Sequence, residues 1–140
     1  MARVVGLDLG SRRIGVAVSD PTGTIASPHG VVERSGDQAA DHAALARLVA
    51  DVGASRVVVG LPLSLSGAMG RAAREVTEEA EALAKVVGVP VETFDERLTT
   101  ATAERSLGEL GLRGPARRRV VDKVAAAVIL QTWLDGGRGR

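Results

Sequence analysis

Apolar residues alternate with polar ones, or run in short blocks, over the first third of the chain. Val4 to Leu9, Ile14 to Ser19 and Thr24 to Glu33 each read as a β-strand; the intervening "GSRR" and "DPTG" are turn-rich, so the three predict an antiparallel meander. The period then changes. Leu45, Leu48, Val49 and Val52 fall at i, i+3, i+4 and i+7, predicting a helix that Asp37 caps and Gly53 stops. "RVVVGLPL" reads as a buried strand, and a second helix carries Ala72, Val76, Ala80, Leu83 and Val87 up to Gly88. "VPVETFDERL" is the last strand. "TTATAERSLGELG" predicts a short helix with Ala103, Leu107 and Leu110 inward and Thr99 and Thr100 as N-cap residues. "PARRRVVDKVAAAVILQTWL" predicts a longer one with Pro115 near its first turn.

The order β-β-β-α-β-α-β-α-α defines an α/β fold. A meander followed by right-handed crossovers gives a mixed five-stranded sheet flanked by helices. At 140 residues the chain is one domain, spanning residues 1–136, with residues 137–140 expected as a flexible tail.

Composition narrows the class. With 45% hydrophobic and 25% charged residues the chain reads as soluble and globular, and no apolar run is long enough for a bilayer. The N-terminus lacks a signal-peptide pattern and the chain has no cysteine, which predicts a cytoplasmic protein. The net charge of +1 hides an uneven distribution, with Arg113, Arg117, Arg118, Arg119 and Lys123 crowded together. Phe94 and Trp133 are the aromatic residues, too few to grip single strands by stacking. A nucleic-acid partner would be held through its backbone.

The acids carry the chemistry. Alternation along the first strand places Val4, Gly6 and Asp8 on one face, where an unpaired carboxylate costs several kcal/mol on the order of an effective desolvation penalty. Gly6 on that strand, with Gly15, Ala17 and Ser19 on the second, predicts a cavity beside Asp8. Asp122 shares a helix face with Ala126, Ile129 and Trp133, the face expected to pack on the sheet. Asp95 and Glu96 stand at the C-terminal end of the last strand, where α/β proteins place their sites. Carboxylates about 4 Å apart repel by roughly 4 kcal/mol at an effective dielectric near 20, so such a cluster takes up protons or binds cations. Oxygen ligands alone favour Mg²⁺ or Mn²⁺, and a pair of such ions can activate water and neutralise a phosphate.

"GLDLGSRRIGVAVSD", "VVVGLPLSLSG", "DERLTT" and "VDKVAAAVIL", in that order and spacing, closely resemble the YqgF family of Holliday-junction resolvase-like proteins, linked to 5′-end maturation of pre-16S ribosomal RNA. The resemblance runs from about Val4 to Leu134 and implies a ribonuclease-H-like fold. It carries catalytic acids over to Asp8, to an acid of "DER" and to Asp122. Glu96 is the expected ligand of its pair because of its longer arm, with Asp95 in support.

The expected protein is a nuclease in which Asp8, Glu96 and Asp122 hold Mg²⁺ or Mn²⁺, while Arg97, Arg117, Arg118, Arg119 and Lys123 hold the substrate backbone. The substrate is precursor ribosomal RNA, with branched DNA as the alternative, acted on by a monomer or a homodimer. Blander readings stand beside this one. Asp8 can serve as a turn residue before Gly10, Asp122 can pair with Arg118 or Arg119, and the basic run can be a solvated face. His29 and His42 are isolated and read as structural or exposed. Two other functions compete: an ATP-binding half of an actin- or Hsp70-like fold, which needs a second domain to clamp its nucleotide, and a non-catalytic RNA-binding module for ribosome assembly.

Overall fold

A computed structural model describes residues 2–62, 69–95 and 114–136, the last segment with side chains from Asp122 onward. The expected short helix with Thr99 and Thr100, the acid Glu96, Arg97, the side chains of Arg117, Arg118 and Arg119, and the tail lie outside the described residues.

The elements are β1 (Arg3–Leu9), β2 (Arg13–Ser19), β3 (Ala26–Glu33), α1 (Gln38–Val52), β4 (Ala54–Leu61), α2 (Arg71–Val87), β5 (Val91–Asp95) and α3 (Gly114–Gly136). They form a five-stranded sheet in the order β3-β2-β1-β4-β5. The meander β1-β2-β3 is antiparallel, and β1, β4 and β5 run parallel, so the sheet is mixed as expected.

Alternation divides the strand residues between two cores. Val5, Leu7, Ile14, Val16, Val57 and Val59 pack under α1 and α2, whereas Val4, Ala17 and Val58 pack under α3 against Ala126, Ile129, Leu130 and Trp133. The central strands are therefore apolar on both faces, as strands between helical layers must be. Asp37 caps α1 by accepting from the N–H groups of Ala39 and Ala40, and Gly53 ends it in the left-handed region at φ 70°.

Local expectations shift in a few places. Thr24 and Ile25 do not open β3; their N–H groups donate to the Asp20 carboxylate at 2.8 and 2.9 Å, and β3 starts at Ala26. Those bonds, with that from Thr22, hold the Asp20 carboxyl far below its ordinary range. The inward stripe of α2 is Ala73, Val76, Ala80 and Leu83, so Ala72 is exposed at the mouth of a cleft rather than buried.

The largest departure concerns the small residues around Asp8. The cavity expected beside Gly6, Gly15, Ala17 and Ser19 does not exist, because α3 fills it. A Cβ on Gly6 would lie 2.7 Å from the Leu130 Cβ, and one on Gly15 only 1.9 Å from the Asp122 carbonyl oxygen. Ser19 accepts a hydrogen bond from the Val4 N–H at 2.8 Å instead of lining a void. Here small side chains mark the approach of another backbone.

On the opposite face, a charged network fixes the turn that follows Asp8. Arg34 donates from both terminal nitrogens to Glu79 at 2.9 Å and from Nε to the Gly10 carbonyl at 2.7 Å. His42, buried, joins Glu79 at 2.8 Å. Burial would raise the Glu79 carboxyl, but the hydrogen bonds and charges of Arg34 and His42 outweigh it and hold it below its ordinary value.

Candidate active site

Asp8 is the penultimate residue of β1 and faces α3. Its ladder partner across β2 is Gly15, and Gly15 is the position over which the Asp122 backbone passes. Two features of the sequence therefore bring the acids together: alternation turns Asp8 to the α3 face, and the missing side chain of Gly15 lets the helix descend beside it.

The electrostatics follow from that placement. Among the described residues no hydrogen bond reaches the Asp8 carboxylate. Burial first, and the nearby charge of Asp122 second, push its carboxyl up from an ordinary 3.8 to about 6. Asp122 is better compensated. Arg13, the first residue of β2, donates from Nε to Asp122 Oδ2 at 2.6 Å, with both side chains about one-fifth exposed. Asp122 thus has a partner on the sheet, 109 positions away; the helical pairing with Arg118 or Arg119 expected from sequence falls on side chains outside the described residues.

Arg13 is the site residue that sequence reasoning passed over. "GSRR" reads locally as a turn, yet alternation back from Gly15 puts Arg13 on the face of Asp8. A long cation on a face otherwise made of Gly15, Ala17 and Ser19 is the signal.

The other expected residues divide as follows. Lys123 neighbours Asp122 and lines a shallow pocket with Gly30, Val31 and Glu33 at the β3 edge, on the same side of the molecule. Phe94 of β5 packs into the α3 core, so the face it occupies is the face of Asp8. Asp95, one residue on, points by alternation to the other face and pairs in register with Leu61. Among the described residues no group of three or more His, Cys, Asp or Glu side chains could hold a metal ion. The donor set that is described, a half-buried carboxylate beside a second carboxylate, suits a hard divalent cation and offers nothing to a soft one.

Comparison with known proteins gives the family and the fold. A family model described as "RuvX: Holliday junction resolvase" matches residues 2–136. A relative from Mycobacterium sp. (strain KMS), named for pre-16S rRNA nuclease activity, is 47% identical over 137 residues, 97% of this chain and 81% of its own. A relative of the same name from Syntrophomonas wolfei is 44% identical over 135 residues, 96% of this chain and 95% of its own. Among solved structures, Thermus thermophilus RuvC in complex with a Holliday junction substrate superposes with a TM-score of 0.58 at 19% identity, covering 98% of this chain and 97% of that one. That likeness places the sheet and its helices in the ribonuclease-H-like fold expected from the motifs. With its fold, its motifs and nearly its whole length matched, the chain belongs to the RuvX family, the one the sequence motifs resemble under the name YqgF.

Proposed function

We propose that this protein is a divalent-cation-dependent endonuclease that cleaves phosphodiester bonds in precursor ribosomal RNA, in maturation of the 5′ end of 16S rRNA. The observation that carries the reading is Asp8: a half-buried carboxylate on the face that α3 covers, brought beside Asp122 by a glycine, with no hydrogen bond among the described residues. Retaining that arrangement costs stability in the absence of a cation, which a purely structural acid has no reason to do.

Asp8 and Asp122 would hold Mg²⁺ or Mn²⁺, with Glu96 as the third ligand. Alternation through β5 supports Glu96 over Asp95, since Phe94 already lies on the face of Asp8. A bound cation supplies charge to neutralise the scissile phosphate and lowers the pKa of attacking water. The chain itself positions the carboxylates, excludes solvent from their apolar side and steers the polyanion with Lys123 and the basic first turns of α3, which carry Arg117, Arg118 and Arg119. Arg97 completes that set. Among the described residues no helix is long and apolar enough to cross a membrane. We place the enzyme in the cytoplasm, with its RNA.

Branched DNA is the second reading, supported by the description of the family and by the RuvC fold. Purified protein incubated with labelled precursor 16S rRNA and with four-way DNA junctions, in Mn²⁺, Mg²⁺ or EDTA, tests both. Cation-dependent cleavage of the precursor is expected, lost in Asp8→Asn and Asp122→Asn. Preferential junction cleavage transfers the substrate to DNA, and activity that survives both amide variants overturns the site. Specific RNA binding with no cleavage under any condition restores the non-catalytic module.

A further inference from the structure

Among the described residues, Arg13 is the cation that pairs with Asp122. Its Nε lies 2.6 Å from Oδ2, short even for a charge-assisted bond, and the pair is only about one-fifth exposed. A carboxylate that ligates a divalent cation cannot keep a guanidinium on the same oxygen at full strength, because the two compete for one lone-pair region and repel each other. Something must then receive the guanidinium. Glu33 is directly opposite Arg13 in the β2·β3 ladder, so their side chains leave the sheet on the same face. It already contributes to the field at Arg13, in the same direction as Asp122.

We propose that Arg13 is the resident counter-ion of Asp122 and that it is handed to Glu33 when a divalent cation enters the site. The pair of acids flanking Arg13, one on α3 and one on β3, makes a two-position switch with the guanidinium as its moving part. In the first position the helix is pinned to β2 and the site is charge-compensated without metal. In the second, Asp122 is free to ligate and the guanidinium still has an anionic partner, which limits the cost of ejecting it. The inference rests on the reading that Asp8 and Asp122 bind a divalent cation.

A structural staple and a competing counter-ion predict opposite signs. If Arg13 only pins α3, Arg13→Gln loosens the site and weakens cation binding; if it competes with the cation, the same change strengthens it. Binding of Mn²⁺ is followed by loss of the free-ion electron paramagnetic resonance signal, with no nucleic acid present, for wild type, Arg13→Gln, Arg13→Lys, Glu33→Gln and Asp8→Asn. Arg13→Gln should bind Mn²⁺ about tenfold more tightly, the order expected for losing one charge-assisted hydrogen bond to the ligand. Arg13→Lys should fall between it and wild type, since an ammonium keeps the charge and loses the planar fork. Glu33→Gln should bind a few-fold more weakly, on the order of a cross-strand charge pair. Unchanged or weaker binding in Arg13→Gln overturns the counter-ion role, and unchanged binding in Glu33→Gln overturns the hand-over. Wild-type affinity in Asp8→Asn instead overturns the underlying cation site, so the two failures are distinguishable. Circular dichroism melting of each variant, run alongside, separates a folded variant with altered affinity from an unfolded one; if Arg13→Gln does not fold, Arg13→Lys alone decides the sign.

Discussion

The carbonyl oxygen of Asp122 lies 1.9 Å from the point where a Cβ on Gly15 would be, so the helix that brings the second acid is seated directly on the backbone of β2. No side-chain rotation can relieve such a contact, because the backbone fixes the Cβ and the atom it meets is a main-chain oxygen. Gly15→Ala is therefore expected to push α3 off the sheet at the site, costing about 3 kcal/mol or more of stability and separating Asp122 from Arg13 and Asp8. Urea unfolding measures the first effect. A Gly15→Ala protein as stable as wild type would show that α3 seats differently.

Asp8→Asn should abolish cleavage and yet stabilise the protein in EDTA. The folded carboxyl is raised from 3.8 to about 6, so between those values the folded state holds more protons than the unfolded one. Stability of the cation-free wild type accordingly falls as pH rises through that window, and above it the ionised Asp8 costs about 1–3 kcal/mol. Unfolding of wild type and Asp8→Asn in EDTA, at about pH 4.5 and pH 7.5, checks the sign: the variant should gain its advantage only at the higher pH.

Glu79→Gln should be strongly destabilising, by about 3 kcal/mol, because it leaves Arg34 without its anionic partner on a largely buried network. The Glu79 carboxyl is depressed from its ordinary 4.5, so its contribution is complete above that pH and is lost as pH falls through the folded value. Acid unfolding should thus be less steep in the variant. Because Arg34 also holds the Gly10 carbonyl, cleavage should weaken with stability, and rescue by Glu79→Asp would show that charge at this point is what matters.

At saturating Mn²⁺, Glu96→Gln should reduce the cleavage rate far more than Asp95→Asn, by about a hundredfold or more if one ligand is lost. The reverse ranking assigns the third ligand to Asp95. Single-turnover rates on labelled RNA decide it, since product release cannot then mask the chemistry.

Replacing Arg117, Arg118 and Arg119 together with alanine should weaken RNA binding regardless of sequence and flatten the log–log salt dependence by about 0.7 per lost phosphate contact on a single strand. Cleavage of bound substrate should persist. An unaltered slope returns the run to an ordinary solvated helix face.

How legible the molecule was depends on the range over which each feature is determined. Asp37 and Gly53 bound α1 through contacts within a few residues, and a sequence displays such contacts directly. Alternation likewise put Asp8 on the right face, and helical period put Ala126, Ile129 and Trp133 on the buried side of α3. The reading failed where one local pattern admits two tertiary meanings. Gly6 and Gly15 suggested open space but mark the close approach of α3, and only the packing of that helix distinguishes the two. Alternation gave the face of Arg13 but not its partner, and the trio Arg34, His42 and Glu79 had no local signature, because each owes its role to partners on other elements.

The pairing of Arg13 with Asp122 spans 109 positions, from the second strand to the last helix. A growing chain emerging at about 5–20 residues per second carries Asp8 for several seconds before Asp122 exists to join it. During that interval the acid is present and the site is not. With the proposed site, an enzyme that cuts ribosomal RNA would be inert while it is itself being made on a ribosome, and would become active only when the final helix settles onto the glycines left bare for it.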